Sequence, residues 1–188
     1  WVNLTDKIKI KCITTFWQDA ILLVDVNSSL FVNLNDASTT SCTRYLRKEV
    51  AKFQHSYLLS ASGYGDADMI NFFDESGNFV EPSAKTNIFV GEQLSLFAKS
   101  LGTKSVIPFS SQHQYQRSDS IWAQNYVMSS EEGYKTGLHK DINFIDQYSF
   151  IDCNDHKTYK IKCKSIIPEI KDPETFGDNW SDELTKEE

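Results

Sequence analysis

The chain has 188 residues, 40% of them hydrophobic and 13% aromatic, and its 19 Lys+Arg against 26 Asp+Glu give a formal charge of −7. Aromatics at that level with 8 Gly and 4 Pro exclude a collagen-like or disordered chain, and no apolar run reaches the roughly 18 residues of a membrane-spanning helix. The acidic balance, with its basic residues dispersed, argues against a nucleic-acid partner, whose electrostatic footprint is a basic stripe.

Trp1-Val2-Asn3-Leu4 lacks an initiator Met, a basic n-region and an apolar h-region. It reads as the start of a fragment rather than a natural start or a signal peptide. Lys7–Thr14 alternates, with Lys7, Lys9 and Lys11 on a solvated face and Ile8, Ile10 and Cys12 turned inward. Ala20–Val26 is a short continuous apolar run, typical of a buried strand. Asn27-Ser28-Ser29 is a turn, and Leu30–Leu34 returns as the second arm of a hairpin.

Asn35-Asp36-Ala37-Ser38 is a polar loop at the end of that arm, and Thr39–Phe53 has helical spacing. Asp36 therefore suits two roles. It is a carboxylate at a strand end, where it could hold a cation. It or Ser38 is equally placed to cap the Thr39 helix. Tyr57–Ala61 is a short strand running into Ser62-Gly63-Tyr64-Gly65-Asp66-Ala67-Asp68, a loop in which Tyr64 and Asp66 suit substrate binding. The loop lacks the acidic spacing of a calcium-binding EF-hand.

Ala84–Leu101 reads as a second helix stopped by Gly102. Ser105–Phe109 is a strand ending in Ser110-Ser111-Gln112-His113, where an imidazole suits zinc, iron or acid–base work. Arg117 could pair with a substrate phosphate or carboxylate, or with Asp119. Ile142–Cys153 and Thr158–Lys164 read as a final hairpin, and Pro168–Glu188 as an acidic tail or linker. His55, His139 and His156 fall in connections and read as surface residues. The 4 cysteines form no C-x-x-C pair, which points to reduced thiols in a cytoplasmic protein. Strands alternating with helices predict a layered α/β fold with a mixed sheet and flanking helices, its chemistry in the loops beyond the strand ends.

In order and spacing these pieces resemble the second half of a metallo-β-lactamase fold. The segments that carry the resemblance are Asn33-Leu34-Asn35-Asp36-Ala37, Leu58-Leu59-Ser60-Ala61-Ser62-Gly63 and Val106-Ile107-Pro108-Phe109-Ser110-Ser111-Gln112-His113. The order is most similar to the branch holding ascorbate-phosphate lactonases, N-acyl phosphatidylethanolamine phospholipases and CMP-N-acetylneuraminate hydroxylase-like proteins.

The resemblance implies half of a four-layer αββα sandwich over residues 1–167, with 168–188 leading to a missing segment. It implies a hydrolase using a dinuclear metal-activated water, with zinc or alternatively iron. By position Asp36 matches the bridging carboxylate and His113 the last histidine ligand, while Tyr64, Asp66, Gln112 and Arg117 would bind substrate. The H-x-H-x-D-H motif of that family's first half is absent from the chain. The expectation is therefore a chain inactive alone, whose partner is the missing N-terminal half, in the same polypeptide or another. An iron-dependent oxygenase domain and a non-catalytic α/β binding module are the competing expectations.

Overall fold

The computed structural model describes residues 1–16, 18–61, 73–80, 89–109, 115–118, 121–122, 134–162 and 169–176. The chain divides into two compact units, Trp1–Gln112 with Met128–Cys163, and His113–Val127 with Lys164–Glu188.

The first unit is α/β. Its strands β1 (Val2–Asn3), β2 (Ile8–Thr14), β3 (Ala20–Val26), β4 (Ser29–Asn35), β5 (His55–Ala61), β6 (Ser105–Phe109) and β7 (Asn143–Phe144) form one mixed seven-stranded sheet in sequence order. β1 to β4 are antiparallel neighbours, and β4 to β7 run parallel. The change of direction follows from the connections. A two-residue turn joins β3 to β4, with Asn27 and Ser28 both at positive φ (49° and 67°), the twist a tight hairpin needs. Helix α1 (Thr43–Val50) joins β4 to β5, and helix α2 (Val90–Leu101) lies between β5 and β6, as parallel pairing requires a long crossover.

Both helices pack on one face of the sheet. Ile21, Leu23, Leu30, Val32, Leu58 and Val106 from the strands join Leu46, Val50, Leu94, Ala98 and Leu101 from the helices in one core. The other face is also apolar but only half covered. Leu22 is 37% exposed and Phe109 38%, and Val24, Phe31, Leu59 and Ile107 are half-buried. Thus the continuous apolar run of β3 does not mean burial on both sides here, because among the described residues the helices cover one side alone.

Several expectations shift at the edges. The first helix begins at Thr43 rather than Thr39, with Cys42 in the capping position and no side-chain cap. The second is described from Val90, and Gly102 ends it in the left-handed region (φ 83°), its N–H bonded to the Ala98 carbonyl at 2.8 Å. The stretch expected to be one arm of a final hairpin splits: Asn143–Phe144 joins the main sheet beside β6, while β8 (Ser149–Asp152) and β9 (Lys157–Lys160) form a separate two-stranded hairpin.

The lysine-bearing face of β2 is not simply solvated. Ile13 shares that face and packs against the core, while Lys11 folds over the rings of Trp1 and Tyr45 and donates to the Tyr45 hydroxyl. The inward face of α1 carries a carboxylate, Glu49, only 4% exposed and bonded to the Lys52 ammonium at 2.8 Å. Burial pushes its carboxyl up, but the Lys52 ammonium, the Tyr45 hydroxyl and the Lys11 charge together hold it below its ordinary value. A carboxylate lowered on folding adds stability above the unfolded value of about 4.3 and loses it as the pH falls through the folded value. Glu49→Gln is therefore expected to flatten the acid limb of the stability curve, read as a smaller loss in urea midpoint below about pH 4.5.

In the second unit, Arg117 pairs in parallel with Lys171, Ser118 N–H donates to the Lys171 carbonyl at 2.8 Å, and Lys171 N–H donates to the Gln116 carbonyl at 2.7 Å. Pro173–Phe176 forms a short 3-10 helix. No helix among the described residues is long and apolar enough to cross a membrane.

Candidate functional site

The parallel strands β4, β5 and β6 end side by side. Asn35 pairs with Ser60, Ser60 with Pro108 and Ala61 with Phe109, so the chain leaves all three strands at one edge of the sheet. In an α/β sheet this edge is where ligands bind. The segments that leave here begin at Asp36, Ser62 and Ser110.

Asp36 owes its place to a local irregularity. The pairing of β4 with β5 slips between Asn33 and Asn35, and Asn35 sits at φ 50°. Asparagine tolerates that conformation because its short polar side chain can satisfy nearby backbone. Here Asn33 Oδ1 accepts the Asn35 N–H at 3.0 Å, and Ala37 N–H closes a turn onto the Leu34 carbonyl at 2.8 Å. Asp36 is exposed at the tip, and its Oδ1 accepts Asn35 Nδ2 at 2.9 Å.

The capping role for Asp36 is not taken up, since α1 starts seven residues later at Thr43 and Ser38 instead bonds Thr40 at 2.9 Å. Among the described residues one hydrogen bond leaves most lone pairs of the Asp36 carboxylate open, and a hard oxygen donor at a sheet edge suits a divalent cation. One such ligand does not make a catalytic site, which takes about three protein ligands and an open position. Among the described residues no group of three or more His, Cys, Asp or Glu could hold a metal ion.

Tyr64, Asp66, Gln112 and His113 lie outside the described residues. Arg117 is half-buried in the second unit, on the backbone bridge to Lys171. Cys12, Cys42 and Cys153 are free thiols. Burial pushes the thiols of Cys42 and Cys153 up, which keeps them protonated and weakly nucleophilic at neutral pH.

A side-chain cluster that sequence reasoning missed lies at the opposite edge of the same sheet. His55 and His156, both expected at the surface, stack with ring centroids 3.5 Å apart and planes 10° apart. Ser29, fully buried, places its Oγ 3.3 Å from His156 Nδ1. The two histidines are a hundred residues apart in sequence and neither sits in a motif. Their one legible signal is that each adjoins a strand end.

No protein-family model matches the chain, and no curated protein matches it in sequence.

Proposed function

We propose that this chain is the second half of a metallo-β-lactamase-like, metal-dependent hydrolase, contributing Asp36 and His113 to a dinuclear site that is completed by a first half carrying an H-x-H-x-D-H motif. The observation that supports this best is the shared strand edge: the β4 irregularity presents Asp36 where the Ala61 and Phe109 strand ends also lie. The segments bearing Tyr64 and Asp66, and then Gln112 and His113, follow directly from those two ends in sequence. The half-covered apolar sheet face adds to it, because a four-layer sandwich buries that face against a second sheet.

In this reading Asp36 and His113 would hold zinc, or iron in an oxygenase relative, and Tyr64, Asp66, Gln112 and Arg117 would orient a phosphate or acyl substrate. Such ions lower the pKa of bound water and polarise a carbonyl or phosphoryl oxygen. The protein would act in the cytoplasm, on a small molecule rather than a nucleic acid. The open sheet face also fits a non-catalytic module that docks on a partner, which would need no metal at all.

The proposal predicts that the 188 residues alone are not a competent enzyme. With zinc or ferrous iron added, they should hydrolyse an activated phosphodiester or lactone no faster than the metal blank. Saturable turnover by the chain alone that disappears in Asp36→Ala would overturn the incompleteness. Zinc-independent behaviour in every assay, with Asp36→Ala indistinguishable from the parent, would favour the docking module.

A further inference from the structure

The β8–β9 hairpin belongs to no strand of the main sheet, yet it lies against the sheet face that the helices leave open. Beneath it Tyr57 is only 5% exposed and stacks on Phe31 at 4.8 Å. Two cavities flank it. One of about 560 Å³ is lined by Lys7, Ile8, Val26 and Phe150 among others, and one of about 310 Å³ by Phe31, Leu59, Ile107 and Phe150 among others.

The tip of the hairpin is fastened at the β3–β4 turn and at the start of β5. Asn27 Nδ2 donates to the Cys153 carbonyl at 3.3 Å and to Asn154 Oδ1 at 3.1 Å. His156, held at φ 59° in the tip, bonds Ser29 and stacks flat on His55. Stacked at that distance, the two rings cannot both carry charge without repulsion, whereas two neutral rings, or one charged ring on a neutral one, pack without conflict.

We infer that the β8–β9 hairpin is a latch over the open sheet face, closed by the His55–His156 stack and released when both imidazoles are protonated.

The surrounding charges do not relieve the second proton. Asp155, beside His156, is already paired with Lys157 at 2.7 Å. The Asp152 carboxylate accepts Asn154 N–H and Nδ2 at 2.8 Å each, and Asp25 accepts the Ser28 N–H at 2.9 Å. Asp6 and Lys7 both line the larger cavity. Tyr57, on the strand below, and Cys153, in the tip, are neutral, both titrating above their ordinary values because they are buried. With both rings charged, like charges would stack 3.5 Å apart with the near carboxylates already engaged. Histidine is the side chain whose charge changes between about pH 5 and 8, so release belongs to mild acid. Opening would uncover Tyr57, Phe31 and Ser29, joining the two cavities into one apolar groove.

The test is amide hydrogen exchange over Ser149–Lys160, expressed as protection so that the intrinsic pH dependence cancels. Between about pH 7.5 and 5.5, hairpin protection is expected to fall at least roughly tenfold while β4 and β5 keep theirs. His55→Phe keeps a flat ring without a titrating group, and its hairpin should stay protected across that range. His156→Asn, which tolerates the left-handed backbone, should exchange at the acid-state level at both ends of the range. A parent hairpin whose protection is independent of pH, or an equal fall in His55→Phe, would overturn the latch. Should His55→Phe fail to fold, a pH step that persists in His156→Asn would overturn it as well.

Discussion

Gly91→Ala is expected to destabilise the protein by about 2 kcal/mol, although alanine is the better helix former by about 1 kcal/mol. A Cβ on Gly91 would stand 2.4 Å from the Thr136 carbonyl oxygen, 2.6 Å from that of Tyr134 and 2.9 Å from the Leu138 nitrogen. All three are backbone atoms, so no side chain can swing aside. The segment crosses here because the first turns of α2 hold it: Ser95 Oγ donates to the Gly91 carbonyl and accepts the His139 N–H, each at 2.8 Å. Pushing it away would also disturb Tyr134, 1% exposed in the core, and the run into β7. Overpacking of this kind costs roughly 1–3 kcal/mol, and more when backbone must move, which outweighs the propensity gain. The reading is a lower urea midpoint with an unchanged slope. An unchanged or raised midpoint would mean the crossing is looser than described.

Asp36→Ala is expected to lower affinity for zinc at the strand edge by at least about 100-fold, since even partners one step removed from a metal cost 10–100-fold when lost. The effect should be local. Asp36 is exposed and outside the core, so the unfolding midpoint should hold within about 0.5 kcal/mol. The useful signal is the titration shift of the Asn35, Asp36 and Ala37 amides, which separates this edge from zinc taken up by His139 beside Asp141 or by other surface histidines. Shifts that persist in the variant would remove Asp36 from the ligand set.

Much of the fold is readable in the residues. The hairpin from β3 to β4 announces itself by a polar turn between apolar arms, and the helix stop at Gly102 by the residue that alone tolerates φ 83° without strain. The order of strands and helices follows from apolar period, which changes from two to about 3.6 at Thr39 and again at Ala84, whereas α1 begins at Thr43 and α2 is described from Val90. What stayed hidden depends on distant pairing. The split of Ile142–Cys153 into β7 and β8 requires knowing that Ser105 pairs with Asn143, and no local propensity records that.

The candidate site divides the same way. Asp36 is visible as an acid after an apolar strand, and the structure releases it from capping by starting α1 late. The slip at Asn35 that turns it to the sheet edge is a three-dimensional fact. The His55–His156 stack was illegible because each histidine alone resembles a solvated one. Only the fold of the hairpin back over β5 joins them.

The most direct test of the proposed site is anomalous scattering at the zinc edge from crystals, grown with zinc, of this chain together with a first half carrying the H-x-H-x-D-H motif. The expected result is a peak at about 2.0–2.2 Å from both an Asp36 carboxylate oxygen and a His113 ring nitrogen. A peak bound by other residues, or an Asp36 and His113 too far apart to share a pair of ions about 4 Å from one another, would contradict it.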